Sequence, residues 1–261
     1  MSLNKKHIIT ALILPALAVL LAFTLQPKHI TIYLAGDSTM ADKDIKAYPE
    51  TGWGTPFKAF FDTTVTIVNK AKNGRSTKSF AKDWESITDN LKAGDYVLIQ
   101  FGHNDEIPTK ANATTEVQFK ENLLRFVTEA RAKQAIPVLI TAVARRKFDE
   151  EGKLKSTHDV YSDVVRKLAA EQKVPLIDLD RDSQALLQQF GVENSKMLYN
   201  HLAVGEHPNY PGGMVDDTHF NELGARKMAQ IVLADIKLLK LDLADRIVKS
   251  NRKPTVAPAA K

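Results

Sequence analysis

No cysteine occurs among the 261 residues. That excludes disulfides, thiolate-held zinc, a cysteine nucleophile and a lipid-modified N-terminal cysteine, whatever the compartment. Any nucleophile must be an oxygen, a nitrogen or a metal-bound water. A charge excess on the body is lacking too. Lys and Arg number 36 against 31 Asp and Glu, but Lys5 and Lys6 lie in the N-terminal segment and Arg252, Lys253 and Lys261 in the tail. Without those five the remainder is neutral. The pI near 9.2 is therefore no nucleic-acid footprint, which needs Lys and Arg clustered on the folded domain, and no nucleic-acid partner is expected. Internal repeats are absent.

Only one long apolar run exists. After Lys5 and Lys6, Ile8 to Leu25 is uncharged over 18 residues, broken only by Pro15. This is the charged-then-apolar order of a secretory signal. The run is slightly long for a signal core and slightly short for a membrane span, so residues 1–27 read as a signal peptide or an N-terminal anchor. Export to a periplasm or outside the cell is expected, with membrane attachment only if the segment is retained. Residues 250–261, rich in Pro, Ala and Lys, read as a disordered basic tail. Residues 28–249 remain for one α/β domain.

Hydrophobic residues at 44% and charged residues at 26% suit a globular core. Apolar, β-branched runs at Ile30 to Leu34, Val65 to Val68, Tyr96 to Phe101, Val138 to Val143 and Leu176 to Leu179 predict five strands of a parallel sheet covered on both faces. Helical patterns fall near Trp53 to Phe61, Trp84 to Leu91, Val117 to Lys133, Val160 to Gln172, Arg181 to Phe190 and Glu222 to about Leu239. This βαβ alternation implies an open doubly wound sheet, whose ligands bind outside the carboxyl ends of the strands.

Those ends carry the chemistry. Gly36-Asp37-Ser38-Thr39 follows the first strand, Asn73-Gly74-Arg75-Ser76 the second and Gly102-His103-Asn104-Asp105 the third. Each alone is also a plausible capped turn. Asp216-Asp217-Thr218-His219 precedes the last helix, on a segment read as a turn. An Asp three residues before a His can set its carboxylate against Nδ1 and leave Nε2 free as a base. The pieces compose a serine-hydrolase constellation: Ser38 as nucleophile, His219 as base, Asp216 as its orienter. The backbone N–H groups of Ser38 and Gly74 and the Asn104 amide are candidate oxyanion donors. Asp37 and Asp105 read as turn and network residues, and His103 as support for the site. Two other classes stay open: a metal-dependent phosphoesterase, since Asp37, His103, Asp105, Asp216 and His219 are all possible ligands, and a silent carbohydrate-binding domain.

In these blocks the sequence resembles the SGNH or GDSL hydrolases over essentially Ile30 to Leu239. Gly36 to Ala41 (GDSTMA), Gly52-Trp53-Gly54, Asn73 to Thr77 (NGRST) and His103 look most like the rhamnogalacturonan acetylesterase branch. The resemblance implies a three-layer flavodoxin-like fold with a five-stranded parallel sheet and deacetylation of a pectic polysaccharide, without cofactor or metal. It also implies Ser38, Gly74, Asn104, Asp216 and His219 as the catalytic set. Asp217 departs from the branch, which often has Asn there. An acetylated polysaccharide or oligosaccharide is the expected partner, with acetylxylan or another ester as the rival substrate. Arg75, Arg145 and Arg146 stand at the ligand edge and can pair an anionic galacturonate, unless they are solvated loop charges. His207 and Tyr210, in the polar stretch before the catalytic block, suit sugar contacts or a plain surface loop.

Overall fold

A computed structural model describes residues 28–249. The segment read as a signal or anchor and the tail lie outside the described residues. Strands β1 (Ile30–Gly36), β2 (Val65–Asn69), β3 (Tyr96–Gln100), β4 (Ile136–Ile140) and β5 (Leu176–Ile177) form one sheet in the order β2-β1-β3-β4-β5. Every pairing is parallel, as in flavodoxin-like sheets.

Both faces are covered because side chains alternate along each strand. In β1, Ile30, Ile32 and Leu34 join one core, and Tyr33 and Ala35 the other. The first core is closed by α1 (Gly54–Phe57), by α5 (Leu179–Asn194) and by α6 (Glu222–Leu238). The second is closed by α2 (Ala81–Thr88), by α3 (Glu116–Ala132) and by α4 (Asp159–Gln172). A capping box fixes the start of α3, with the Thr115 side chain accepting from Gln118 and the Gln118 side chain accepting from the Thr115 amide.

Three expectations need correction. The fifth strand, expected over Leu176 to Leu179, is only Leu176 and Ile177, with Leu179 opening α5. The fourth strand, expected over Val138 to Val143, ends at Ile140, because β5 offers only Leu176 and Ile177 for pairing; Thr141 to Ala144 continue as buried chain. The helix expected from Trp53 to Phe61 is one α-turn followed by a 3₁₀ turn at Lys58–Phe60.

An antiparallel hairpin outside the main sheet, β6 (Tyr199–Leu202) and β7 (Met214–Phe220), replaces the turn expected before the last helix. Its pairings are Tyr199 with Phe220 and Asn200 with Asp216. Residues 217–219 therefore stand opposite a single peptide link, as a bulge. Helix α6 locks onto this hairpin. Asn221 caps it by accepting from the Gly224 amide at 3.1 Å while donating to the carbonyls of Met197 and Tyr199. A Cβ on Gly224 would lie 1.8 Å from the Leu198 carbonyl oxygen, so only glycine permits this approach.

Asp235 on α6 faces Asp182 on α5. Burial first, then the neighbouring carboxylate, push Asp235 from 3.8 up to about 7. A carboxyl raised on folding binds its proton more tightly in the native state, so stability declines as pH rises from about 4 to about 7. Asp235→Asn should raise the unfolding temperature at pH 8 and leave it nearly unchanged at pH 4. Thermal melts at the two pH values check this; a lower melting point for the variant at pH 8 would refute it.

Candidate active site

Ser38 occupies the turn after β1, at the point between β1 and β3 where the strand order reverses and where doubly wound sheets bind ligands. The turn is held from within. The Asp37 carbonyl accepts from the amides of Met40 and Ala41, and Asp37 Oδ1 accepts from the Thr39 amide at 2.9 Å and the Thr39 hydroxyl at 2.8 Å. Burial pushes the Asp37 carboxyl up. A buried chain supports the turn from outside: Trp53 Nε1 donates to Gln100 Oε1 at 2.7 Å, and Gln100 Nε2 donates to Thr39 Oγ1 at 2.6 Å.

The bulge in β7 delivers the candidate base. His219 Nε2 lies 2.9 Å from Ser38 Oγ and Nδ1 lies 2.8 Å from Asp216 Oδ2. Asp216 Oδ1 also accepts from the amides of Thr218 and His219 at 2.7 and 2.9 Å. Burial alone would raise this carboxyl; the bonds from the His219 ring and from the two amides outweigh it and bring Asp216 to about 2. Ionised Asp216 keeps the proton on Nδ1, so Nε2 accepts from the serine hydroxyl.

The amides of Ser38 and Gly74 donate to no protein group among the described residues. Gly74 holds φ +72, and a Cβ there would meet nothing within 4 Å. The left-handed backbone, rather than crowding by protein, is what demands glycine. Asn104 Nδ2 donates one hydrogen to the Arg75 carbonyl at 2.9 Å and retains a second. Asp105 ties the two loops together, accepting from the Thr77 amide at 3.0 Å, the Thr77 hydroxyl at 2.6 Å and the Thr114 hydroxyl at 3.0 Å. Burial, partly offset by these bonds, raises Asp105 to about 6.

Ser38, Gly74, Asn104, Arg145 and His219 line one open cavity of about 540 Å³. A second cavity of about 560 Å³ adjoins it across Ile107 and Arg145. Arg145 is half-buried in the wall they share and donates to Glu106 at 2.7 Å. Glu106 also bonds His158 Nδ1 at 2.9 Å, and the His158 ring packs on His103, 4.3 Å between centroids. Burial holds His103 well below its ordinary range, so it is a neutral prop under the site. Among the described residues no group of three His, Asp or Glu side chains is placed to hold a metal.

Four residues expected at the substrate lie elsewhere. Arg146 is buried and donates to Ser195 Oγ at 3.0 Å, to Asp217 Oδ1 at 2.9 Å and to the Val192 carbonyl; it secures the β7 bulge. Arg75 is tied to Asp83 at 3.1 Å and does not line the cavity. Tyr210 donates to the Ala47 carbonyl at 2.9 Å, and His207 packs on Tyr48 with centroids 5.4 Å apart. Both side chains pin one surface loop to another. Conversely, Gln100, Glu106, His158 and the cavity-lining Lys110 and Glu50 had no sequence signal beyond their proximity to the blocks, and Trp53, though inside one of them, had no role legible from it.

The profile of the GDSL-like lipase/acylhydrolase family matches residues 34–227. The chain is 42% identical to rhamnogalacturonan acetylesterase RhgT of Bacillus subtilis over 88% of its own length and 99% of the relative's. Among solved structures, the Bacillus subtilis protein YxiM superposes with a TM-score of 0.71 at 30% identity, covering 83% of this chain and 59% of that one. The acetylxylan esterase of Geobacillus stearothermophilus superposes at 0.57 with 18% identity, covering 80% and 94%.

Proposed function

As a member of the GDSL-like lipase/acylhydrolase family the chain is a carboxylic ester hydrolase, and we propose that it removes O-acetyl groups from rhamnogalacturonan. The hydrogen-bonded line from Ser38 through His219 to Asp216 supports the chemistry. Ser38 Oγ attacks the acetyl carbon as Nε2 of His219 takes its proton. The carbonyl oxygen becomes an oxyanion facing the N–H groups of Ser38, Gly74 and Asn104, which strengthen their bonds as charge develops. As the bond from the acetyl carbon to the sugar oxygen breaks, His219 hands its proton to that oxygen, which leaves as a hydroxyl; water, deprotonated by the same ring, then attacks the acetyl carbon, and acetate leaves as Ser38 Oγ takes the proton back.

The substrate rests on the 42% identity across nearly the whole length of a rhamnogalacturonan acetylesterase. Similarity to the acetylxylan esterase, at 18% identity, speaks to the fold alone. Two adjoining cavities give room for sugars on either side of the acetylated one, and Arg145 between them, which shares Glu106 with His158, is with Lys110 one of two cations on the wall that a galacturonate carboxylate would meet. The polymer is extracellular chemistry, so export by the segment before residue 28 belongs to the same reading; cell fractionation checks it.

Acetate release from acetylated rhamnogalacturonan should exceed that from acetylxylan. Arg145→Ala should raise KM for the acidic polymer by about 3- to 10-fold, the worth of one partly solvated ionic contact, and leave p-nitrophenyl acetate turnover within two-fold. Faster release from acetylxylan would move the substrate assignment to the neutral polymer.

A further inference from the structure

We infer that Lys110 is a positioning residue for the oxyanion hole, acting through Asn104; the inference rests on the esterase reading above. The two ends of the buried Asn104 amide have different partners. Its Oδ1 accepts from Lys110 Nζ at 2.5 Å, and its Nδ2 donates to the Arg75 carbonyl at 2.9 Å. Rotating the amide by half a turn would set NH₂ against an ammonium and C=O against C=O. Lys110 and Arg75 together therefore decide that an N–H group, rather than a carbonyl oxygen, is left for the reacting ester.

Charge adds a second effect. An ammonium on the amide oxygen draws density from the nitrogen, and hydrogen bonds in series polarise one another. The remaining Nδ2 hydrogen becomes a stronger donor. An ester carbonyl in the ground state gains little from this, whereas a developing oxyanion gains much, so the benefit falls on kcat rather than on KM. No carboxylate offsets the charge: Lys110 has no acidic partner among the described residues, whereas Arg145 on the same cavity is paired with Glu106. The loop is exposed but its backbone is fixed around the lysine. Lys110 N donates to the Ile107 carbonyl at 3.0 Å, and the Lys110 carbonyl accepts from Ala113 N at 3.0 Å.

The test is a double-mutant cycle on p-nitrophenyl acetate with Lys110→Met, Asn104→Ala and the combined variant, and Lys110→Arg as the charge-retaining control. Lys110→Met should lower kcat about 10-fold with KM within about two-fold, less than the loss of a whole oxyanion donor. Lys110→Arg should recover most of the loss. In the Asn104→Ala background, Lys110→Met should add less than about two-fold, because the group through which it acts is gone. An undiminished 10-fold loss in that background would mean that Lys110 acts on the ester directly, and an unchanged kcat in Lys110→Met would mean that it has no role; either overturns the inference. Wild-type turnover of the same ester tests the esterase reading by itself, so the two failures are distinguishable.

Discussion

Ser38→Ala should lower kcat on any acetyl ester by about 10⁴-fold or more, since removing the nucleophile of a serine triad costs nearly as much as removing the whole triad. Binding should survive. Ser38 contributes one oxygen to a cavity whose other walls, from Gly74 to Arg145, are untouched, so KM for the polymer should move little. The pH profile of the wild type follows from the same geometry. Nε2 of His219 must carry no proton to act as the base. Asp216, ionised down to about pH 2, should add no further limb above that value. Steady-state rates of both proteins, with a folded-state check on the variant, decide the matter; retained activity in Ser38→Ala would remove the nucleophile assignment.

The second large effect separates two adjacent carboxylates. Asp216→Asn nearly preserves size but replaces an anion that accepts from the ring and from two amides. An amide can donate to Nδ1 and so select the tautomer with the proton on Nε2, where it is useless. In a serine protease that change cost about 10⁴-fold; about 10²- to 10³-fold is expected here, because an acetyl ester is more labile than a peptide. Asp217→Asn should stay within a few-fold. Its carboxylate faces Arg146 and His201 rather than the catalytic ring, and an Asn oxygen still accepts from the guanidinium. Collapse of turnover in Asp217→Asn with survival in Asp216→Asn would require the acid to be reassigned.

The inner strands β1, β3 and β4 were legible because a strand buried on both faces must be apolar nearly throughout, and the half-buried edge strand β2 because its Val and Ile follow the same run. Hairpin β6 and β7 was not. Asn200, His201, Asp216, Asp217 and His219 break any alternation, and the bulge at 217–219 destroys the period. The proposed catalytic set was legible because each member lies in a short block at a strand end or before a helix, where chain position nearly fixes spatial position. Substrate contacts were not legible because they depend on side-chain direction. Arg145 and Arg146 are adjacent in extended chain, so they project to opposite sides: one reaches the cavity wall, the other Ser195, Asp217 and the Val192 carbonyl. Lys110 sits in a run of turns, where no period says which way a lysine faces.

The hairpin that carries the base lies outside the five-stranded sheet that carries the nucleophile, and 181 residues separate His219 from Ser38. A ribosome therefore finishes every strand of the main sheet, and with it the loops that hold the serine and the oxyanion donors, before it reaches the imidazole. A chain stopped short of β7 lacks both the base and α6, whose Met228, Val232 and Ile236 close the first core. Esterase turnover accordingly counts only molecules completed through the bulge and the helix that clamps it.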